Sequence, residues 1–181
     1  EYHDFRGYAG RVAGGVFHAG DDVTVFPSGF QTKVKSIELN GEEISSAFAP
    51  MSVILTLEDE LDISRGCMIG KPNNSPQMTQ DVDVMFCWLN DKPMNLMSKY
   101  QVKHTTNDPR CMIKEIIYKL DINTLHKNQE DKNIGINDIF RARIRTTKPL
   151  FIDSYRKNRI TGSLILIDEG TNETIAAGMI V

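Results

Sequence analysis

The chain has 181 residues, 40% hydrophobic and 25% charged, with a net charge of −3 at pH 7. That length suits one large domain or two small ones, and the composition is that of an ordinary globular protein. The charge balance gives no global pull toward nucleic acid or membrane, and no apolar run reaches the roughly 18 residues of a spanning helix.

The opening "EYHDFRGYAG" has no Met, no basic stretch and no apolar stretch, so it is not a signal peptide. It reads as a cut inside a longer chain. Strand patterns follow at 8–17, 22–26, 32–38 and 51–57, short runs rich in Val, Ile, Thr and Phe. Ala19-Gly20-Asp21, Pro27-Ser28-Gly29 and Asn40-Gly41-Glu42 separate them as turns, and "NG" at 40–41 is a hairpin signal. "GCMIG" at 66–70 is a further short strand. "KPNNSPQMTQ" at 71–80 has the composition of a linker and marks a domain boundary.

"DVDVMFCWL" at 81–89 alternates and then turns fully apolar, as a strand entering a core does. Residues 99–105 alternate again. Residues 111–122 carry apolar spacing that also suits a helix, but their β-branched content and the strand-rich context favour a long, bent strand. A polar loop leads to the strands "IFRARIRTT", "ITGSLILID" and "TIAAGMIV", with "EGTNE" as the last hairpin turn. Many short strands at regular spacing make this an all-β protein of sandwiches or barrels.

Five glycines lie between Gly7 and Gly20, and the spacing of Gly15 and Gly20 approaches a phosphate-binding P-loop. The chemistry does not follow. A P-loop continues with Lys and Ser/Thr to meet phosphates and Mg²⁺, whereas Asp21 and Asp22 stand here. The glycines are expected to serve turns and bulges.

His3, His18, His104 and His126 are scattered without metal-ligand spacing, which points to structural or surface roles. Cys67, Cys87 and Cys111 form no C-x-x-C and are expected as buried small hydrophobes in a reducing cytoplasm. "LEDELD" at 57–62 lacks the alternating ligands of a calcium loop and reads as a solvated loop, as do Asp81 and Asp83 on one strand face. No nucleophile motif is present, so the chain offers no self-contained active site and no catalytic residue.

Residues 141–159 stand out. Arg141, Arg143, Arg145, Lys148, Arg156, Lys157 and Arg159 face one acid, Asp153, a local charge of +6 in a chain of net −3. Arg141, Arg143 and Arg145 alternate along a strand and so share one face. That face is either a solvated exterior or a docking surface for an acidic partner domain, another subunit or an RNA backbone. No aromatic residues interleave, which weakens base stacking.

The order of motifs resembles the second and third domains of the translational GTPases of the elongation factor Tu and 1-alpha group. The residues that carry the resemblance are "DFRGYAGRVAGGVFHAGDDVTVFPSG", "WLNDKPM", "TTKPLFIDSYRKNRITGS" and "NETIAAGMI". "RGYAG", "WLND" and "TTKPLFIDSYRKNRITGS" further resemble the GTPase-subunit branch of bacterial sulfate adenylyltransferase, the ATP sulfurylase of sulfate assimilation.

The resemblance implies two consecutive β-barrels, residues 1–76 and 77–181, similar to domains 2 and 3 of elongation factor Tu. It places the GTP-binding domain, with GTP and Mg, before residue 1. One further strand would also lie there, leaving the first barrel open at that edge. It implies a GTPase subunit that couples GTP hydrolysis to adenosine 5′-phosphosulfate synthesis by sulfate adenylyltransferase subunit 2. The implied partners are that subunit and the chain's own GTP-binding domain, in the cytoplasm, with no membrane or nucleic acid. Arg141, Arg143, Arg145, Arg156 and Arg159 are the docking candidates. The alternatives are a translation-factor fragment contacting aminoacyl-tRNA and an interaction module with no coupled enzyme.

Overall fold

A computed structural model describes residues 5–181, which fall into two compact units divided after Pro76. The described residues form fifteen strands and no α-helix. His3 lies outside them.

In the first unit the sheet path runs β1 (Tyr8–Arg11), β7 (Ser52–Leu57), β4 (Phe30–Leu39), β3 (Asp22–Phe26) and β8 (Met68–Gly70), with β5 (Glu42–Glu43) on β4. β2 (Val16–His18) and β6 (Ser46–Phe48) form a separate two-stranded ribbon, and no pairing joins the end strands β1 and β8 among the described residues. Val23, Val34, Ile37, Val53 and Leu55 point inward and form its core, the three-residue step from Val34 to Ile37 spanning a register shift in β4. Asn40 and Gly41 have φ of 54° and 86°, the left-handed pair of a tight turn whose twist matches the strands it joins.

The expected single strand over 8–17 is two strands. Gly15, at φ 72°, turns the chain so that β2 leaves β7's neighbourhood and pairs with β6.

The second unit is a closed barrel. Its strands are β9 (Gln77–Trp88), β10 (Lys99–Lys103), β11 (Arg110–Leu120), β13 (Ile139–Ile152), β14 (Ser163–Ile167) and β15 (Thr174–Ile180), with β12 (Lys127–Asn128) extending β11. The order β10-β14-β15-β9-β13-β11 closes through antiparallel pairing of β10 with β11. Closure removes the two sheet edges that would otherwise present unpaired backbone groups.

Val82, Val84, Phe86 and Trp88 fill the interior from β9. Phe86 stacks on Phe140 at 5.5 Å, and Trp88 meets Tyr100 edge-on at 6.1 Å. Both polar rims of that aromatic pair are satisfied. The Trp88 indole donates to the Lys92 carbonyl at 2.9 Å, and the Tyr100 hydroxyl to the Asn95 carbonyl at 2.8 Å.

The helix-like spacing at 111–122 has a structural cause. β11 is a strand with register shifts between Ile113 and Glu115 and between Ile116 and Tyr118. Each bulge adds one residue, so the inward positions Cys111, Ile113 and Ile116 drift from a period of two toward three. A larger irregularity on β13 lies between Arg145 and Leu150, at the Thr146–Pro149 stretch where a proline's missing N–H costs no ladder bond.

Gly178 faces inward on β15. A Cβ there would stand 2.6 Å from Val84 Cγ1 and 2.7 Å from the Phe86 ring. Gly178→Ala should therefore destabilise the second unit by about 1–3 kcal/mol, read as a lowered urea midpoint with Trp88 fluorescence as the local probe.

Candidate docking surface

The candidate arginines lie on the outside of the second barrel, on β13 and on the loop 153–162. Antiparallel register sets what they face. Arg143 lies opposite Asp83, Arg145 opposite Asp81 and Arg141 opposite Met85 on β9, while Glu115 on β11 flanks Arg143 from the other side. Asp83 accepts from Arg141 Nη2 at 3.0 Å and from Arg143 Nε at 2.8 Å. Arg145 Nη1 donates to Asp81 at 2.9 Å, and Arg143 reaches Glu115 at 3.9 Å.

The strip read from sequence as strongly basic is thus a ladder of three arginines and three carboxylates. Asp81 and Asp83, expected as solvated, are its anionic half. The Arg143 guanidinium holds the Asp83 carboxyl below its ordinary value, with Arg141 adding and partial burial opposing.

The loop candidates differ. Lys157 is tied to Asp153 at 2.6 Å. Arg159 lies over the Tyr155 ring at 5.9 Å, and Arg156 is exposed. No ion pair forms at Arg156 or Arg159 among the described residues. These two arginines and Lys148 carry the charge of the 141–159 strip that no ion pair compensates among the described residues.

The loop is held from three directions. The Tyr155 N–H donates to the Ile180 carbonyl at 2.9 Å, and the Ile180 N–H to the Gly162 carbonyl at 2.8 Å. Thr161 Oγ1 donates to Asp153 at 2.8 Å. Gly162 allows the closest approach, since a Cβ there would sit 2.5 Å from the Asn158 carbonyl oxygen and from Tyr155 Cα.

His104 supplies the buried anchor. Its Nε2 donates to the Thr161 carbonyl at 2.8 Å, which fixes the neutral tautomer, while Nδ1 is buried without a partner. Burial pushes this imidazole below its ordinary 6.5, only partly opposed by the Thr161 carbonyl.

Two side chains on β9 point outward against the sequence expectation. In sequence the run "MFCW" is apolar throughout and reads as core at Met85 and Cys87. The inward set Val82, Val84, Phe86 and Trp88 leaves them on the exterior, half-buried. The period of two begun at Asp81 was the available signal. Of the other cysteines, Cys67 is half-buried, and Cys111 is buried with its thiol pushed up to about 12 by desolvation.

The glycine run does not fit a nucleotide phosphate. Gly15 and Gly20 sit in turns at φ 72° and 88°. The Asp21 carboxylate that follows is occupied by Lys71 at 2.9 Å and by the His18 N–H.

Residues 81–181 match the GTP-eEF1A C-terminal domain-like family, and the chain belongs to it. It is 43% identical, over 100% of its length, to a protein named bifunctional enzyme CysN/CysC from Mycobacterium tuberculosis (strain ATCC 25618 / H37Rv), of which it covers 30%. It is 44% identical, over 98% of its length, to sulfate adenylyltransferase subunit 1 of Bacteroides fragilis (strain YCH46), of which it covers 37%. The chain thus spans about a third of these relatives' length. The crystal structure of sup35 complexed with GDP superposes with a TM-score of 0.85 over 97% of this chain and 45% of that one, at 20% identity, a likeness of fold.

Two measurements probe the surface. Asp83→Asn should cost on the order of 1 kcal/mol at neutral pH, modest because the arginines are half-exposed and screened. A carboxyl lowered from its ordinary 3.8 stabilises the fold above that value and stops doing so as pH falls through the folded value. Urea curves of the variant and the parent should therefore converge at acid pH. A lowered imidazole stabilises the fold fully above 6.5 and loses that contribution as pH falls toward its folded value. His104→Gln keeps a donor for Thr161 and should flatten the fall in melting temperature from pH 7 to about pH 5.

Proposed function

We propose that this chain is the two-barrel docking and coupling part of a GTPase subunit of sulfate adenylyltransferase. The observation that carries the reading is identity above 40% along essentially the whole chain to proteins named sulfate adenylyltransferase subunit 1 or CysN/CysC. The motifs "WLNDKPM" and "TTKPLFIDSYRKNRITGS" support it from the sequence side.

In this reading the whole protein works in the cytoplasm. A GTP-binding domain outside this sequence holds GTP and Mg, and subunit 2 forms adenosine 5′-phosphosulfate and pyrophosphate from ATP and sulfate. The barrels pass the nucleotide state from one to the other. A closed barrel suits that task because its backbone bonds are internally satisfied, so it moves as a body rather than deforming. The docking contact falls on the outer face of the second barrel, at the loop bearing Arg156 and Arg159 and at the adjoining Arg141, Arg143 and Arg145.

The ion-pair ladder favours a protein partner over an RNA backbone. Arginines already matched by carboxylates have little charge left to displace counterions from phosphates. A translation-factor role is the weaker reading for the same reason.

The test uses the full-length protein mixed with subunit 2. GTP should raise the yield of adenosine 5′-phosphosulfate. The double substitution Arg156→Glu and Arg159→Glu should weaken subunit binding about tenfold while leaving intrinsic GTP hydrolysis unchanged. Absence of GTP stimulation in the parent protein, or salt-sensitive retention of aminoacyl-tRNA instead, would overturn the reading.

A further inference from the structure

On the outside of the second barrel, β9, β14 and β15 enclose an apolar trough of about 490 Å³, walled by Tyr155 and Ile160 of the loop. Met85, Cys87, Ile165, Ala177 and Met179 form much of its lining. Outward strand positions that meet water are ordinarily polar. On β9 that rule holds at Asp81 and Asp83 and is broken at Met85 and Cys87, so the apolar surface is local to the trough. Met179 remains 47% exposed in it.

The lining of the trough carries charge of one sign. Lys103 is the sole charged residue of the lining, which contains no carboxylate. Arg156 and Arg159 flank Tyr155 at the wall, and neither they nor Lys103 are ion-paired among the described residues. An occupant must therefore bring apolar groups for the floor and negative charge for the rim.

We propose that the trough binds an acidic polypeptide segment of another chain, which seats one or two large apolar side chains between Met85 and Met179 and sets its carboxylates against Lys103, Arg156 and Arg159. This rests on the reading of the chain as a docking module and specifies what is docked. Methionine side chains are flexible and polarizable, and they accommodate inserted aliphatic and aromatic groups at peptide-binding surfaces. The closed ring leaves none of its six strands an open edge for strand addition, so recognition runs through side chains.

The walls are also set in advance. The Tyr155–Ile180 and His104–Thr161 hydrogen bonds and the close packing at Gly162 hold the loop, so little ordering accompanies binding. Nucleic acid fits the trough poorly. Of its two aromatic lining residues, Phe86 is fully buried and Tyr155 has the Arg159 guanidinium over its ring, and Met, Ala and Ile offer bases no stacking platform.

A random dodecapeptide library displayed on phage, panned against the full-length protein, tests this directly. Selected peptides should combine Asp or Glu with Leu, Phe, Ile or Met. They should lose affinity about tenfold or more on Met179→Glu and on the Arg156→Glu, Arg159→Glu pair. Met97→Glu, at a methionine 88% exposed and outside the trough, should leave binding unchanged. Unaltered melting temperatures show that each variant is folded.

Selections with no acidic and apolar bias, no selection at all, or peptides indifferent to Met179→Glu would overturn the proposal. So would a tRNA probe whose retention falls on Met179→Glu. Trough-dependent peptides with no GTP-stimulated adenylylsulfate synthesis would remove the sulfate-activation reading and keep the site. Stimulated synthesis with trough-independent peptides would do the reverse.

Discussion

Lys99–Gln101 of β10 pair with Met112–Arg110 of β11, and this short antiparallel seam closes the second barrel. Without it the sheet would end in two open edges with unpaired backbone groups. With it, inward and outward are fixed for every strand of the ring at once, because successive residues on a strand must face opposite sides. The aromatic core of Phe86, Phe140 and Trp88 and the outward placement of Met85 and Arg143 are two consequences of one closure.

Electrostatics on the outer face follows from the same geometry. β13 and β9 run antiparallel in a register that sets Arg143 against Asp83 and Arg145 against Asp81. These partners are 60 and 64 residues apart in the chain, so a charge count along any short segment misses them. The loop at 153–162 works differently. Its Asp153 serves Lys157 and Thr161 within the loop, leaving Arg156 and Arg159 without an ion pair among the described residues. Compensated charge lies along β9 and β13, and uncompensated charge stands beside the apolar trough.

Burial of His104 joins barrel and loop. A neutral imidazole donates to the Thr161 carbonyl, and the desolvation that lowers its basicity also makes the anchor sensitive to acid. The packing at Gly162 and the hydrogen bonds of Tyr155 and Ile180 give the loop further attachments, so a wall of the trough is built from fixed backbone.

Local chemistry was enough to read much of this protein. β-branched alternation marked the strands, Asn40-Gly41 announced its tight turn, and Asp21 and Asp22 ruled out a phosphate loop in the glycine run. These features were legible because each depends on neighbours in the chain: backbone sterics, side-chain period and the charge of adjacent groups. The docking candidates were legible only as residue types. Which of them are neutralised depended on cross-strand register, and the outward placement of Met85 and Cys87 depended on ring closure. The bulges in β11, invisible as such in sequence, mimicked a helical period. Sequence alone determined the strands, the turns and the kind of chemistry available. Tertiary structure decided which charges are spent and which apolar side chains meet water, because both are settled by contacts between strands far apart in the chain.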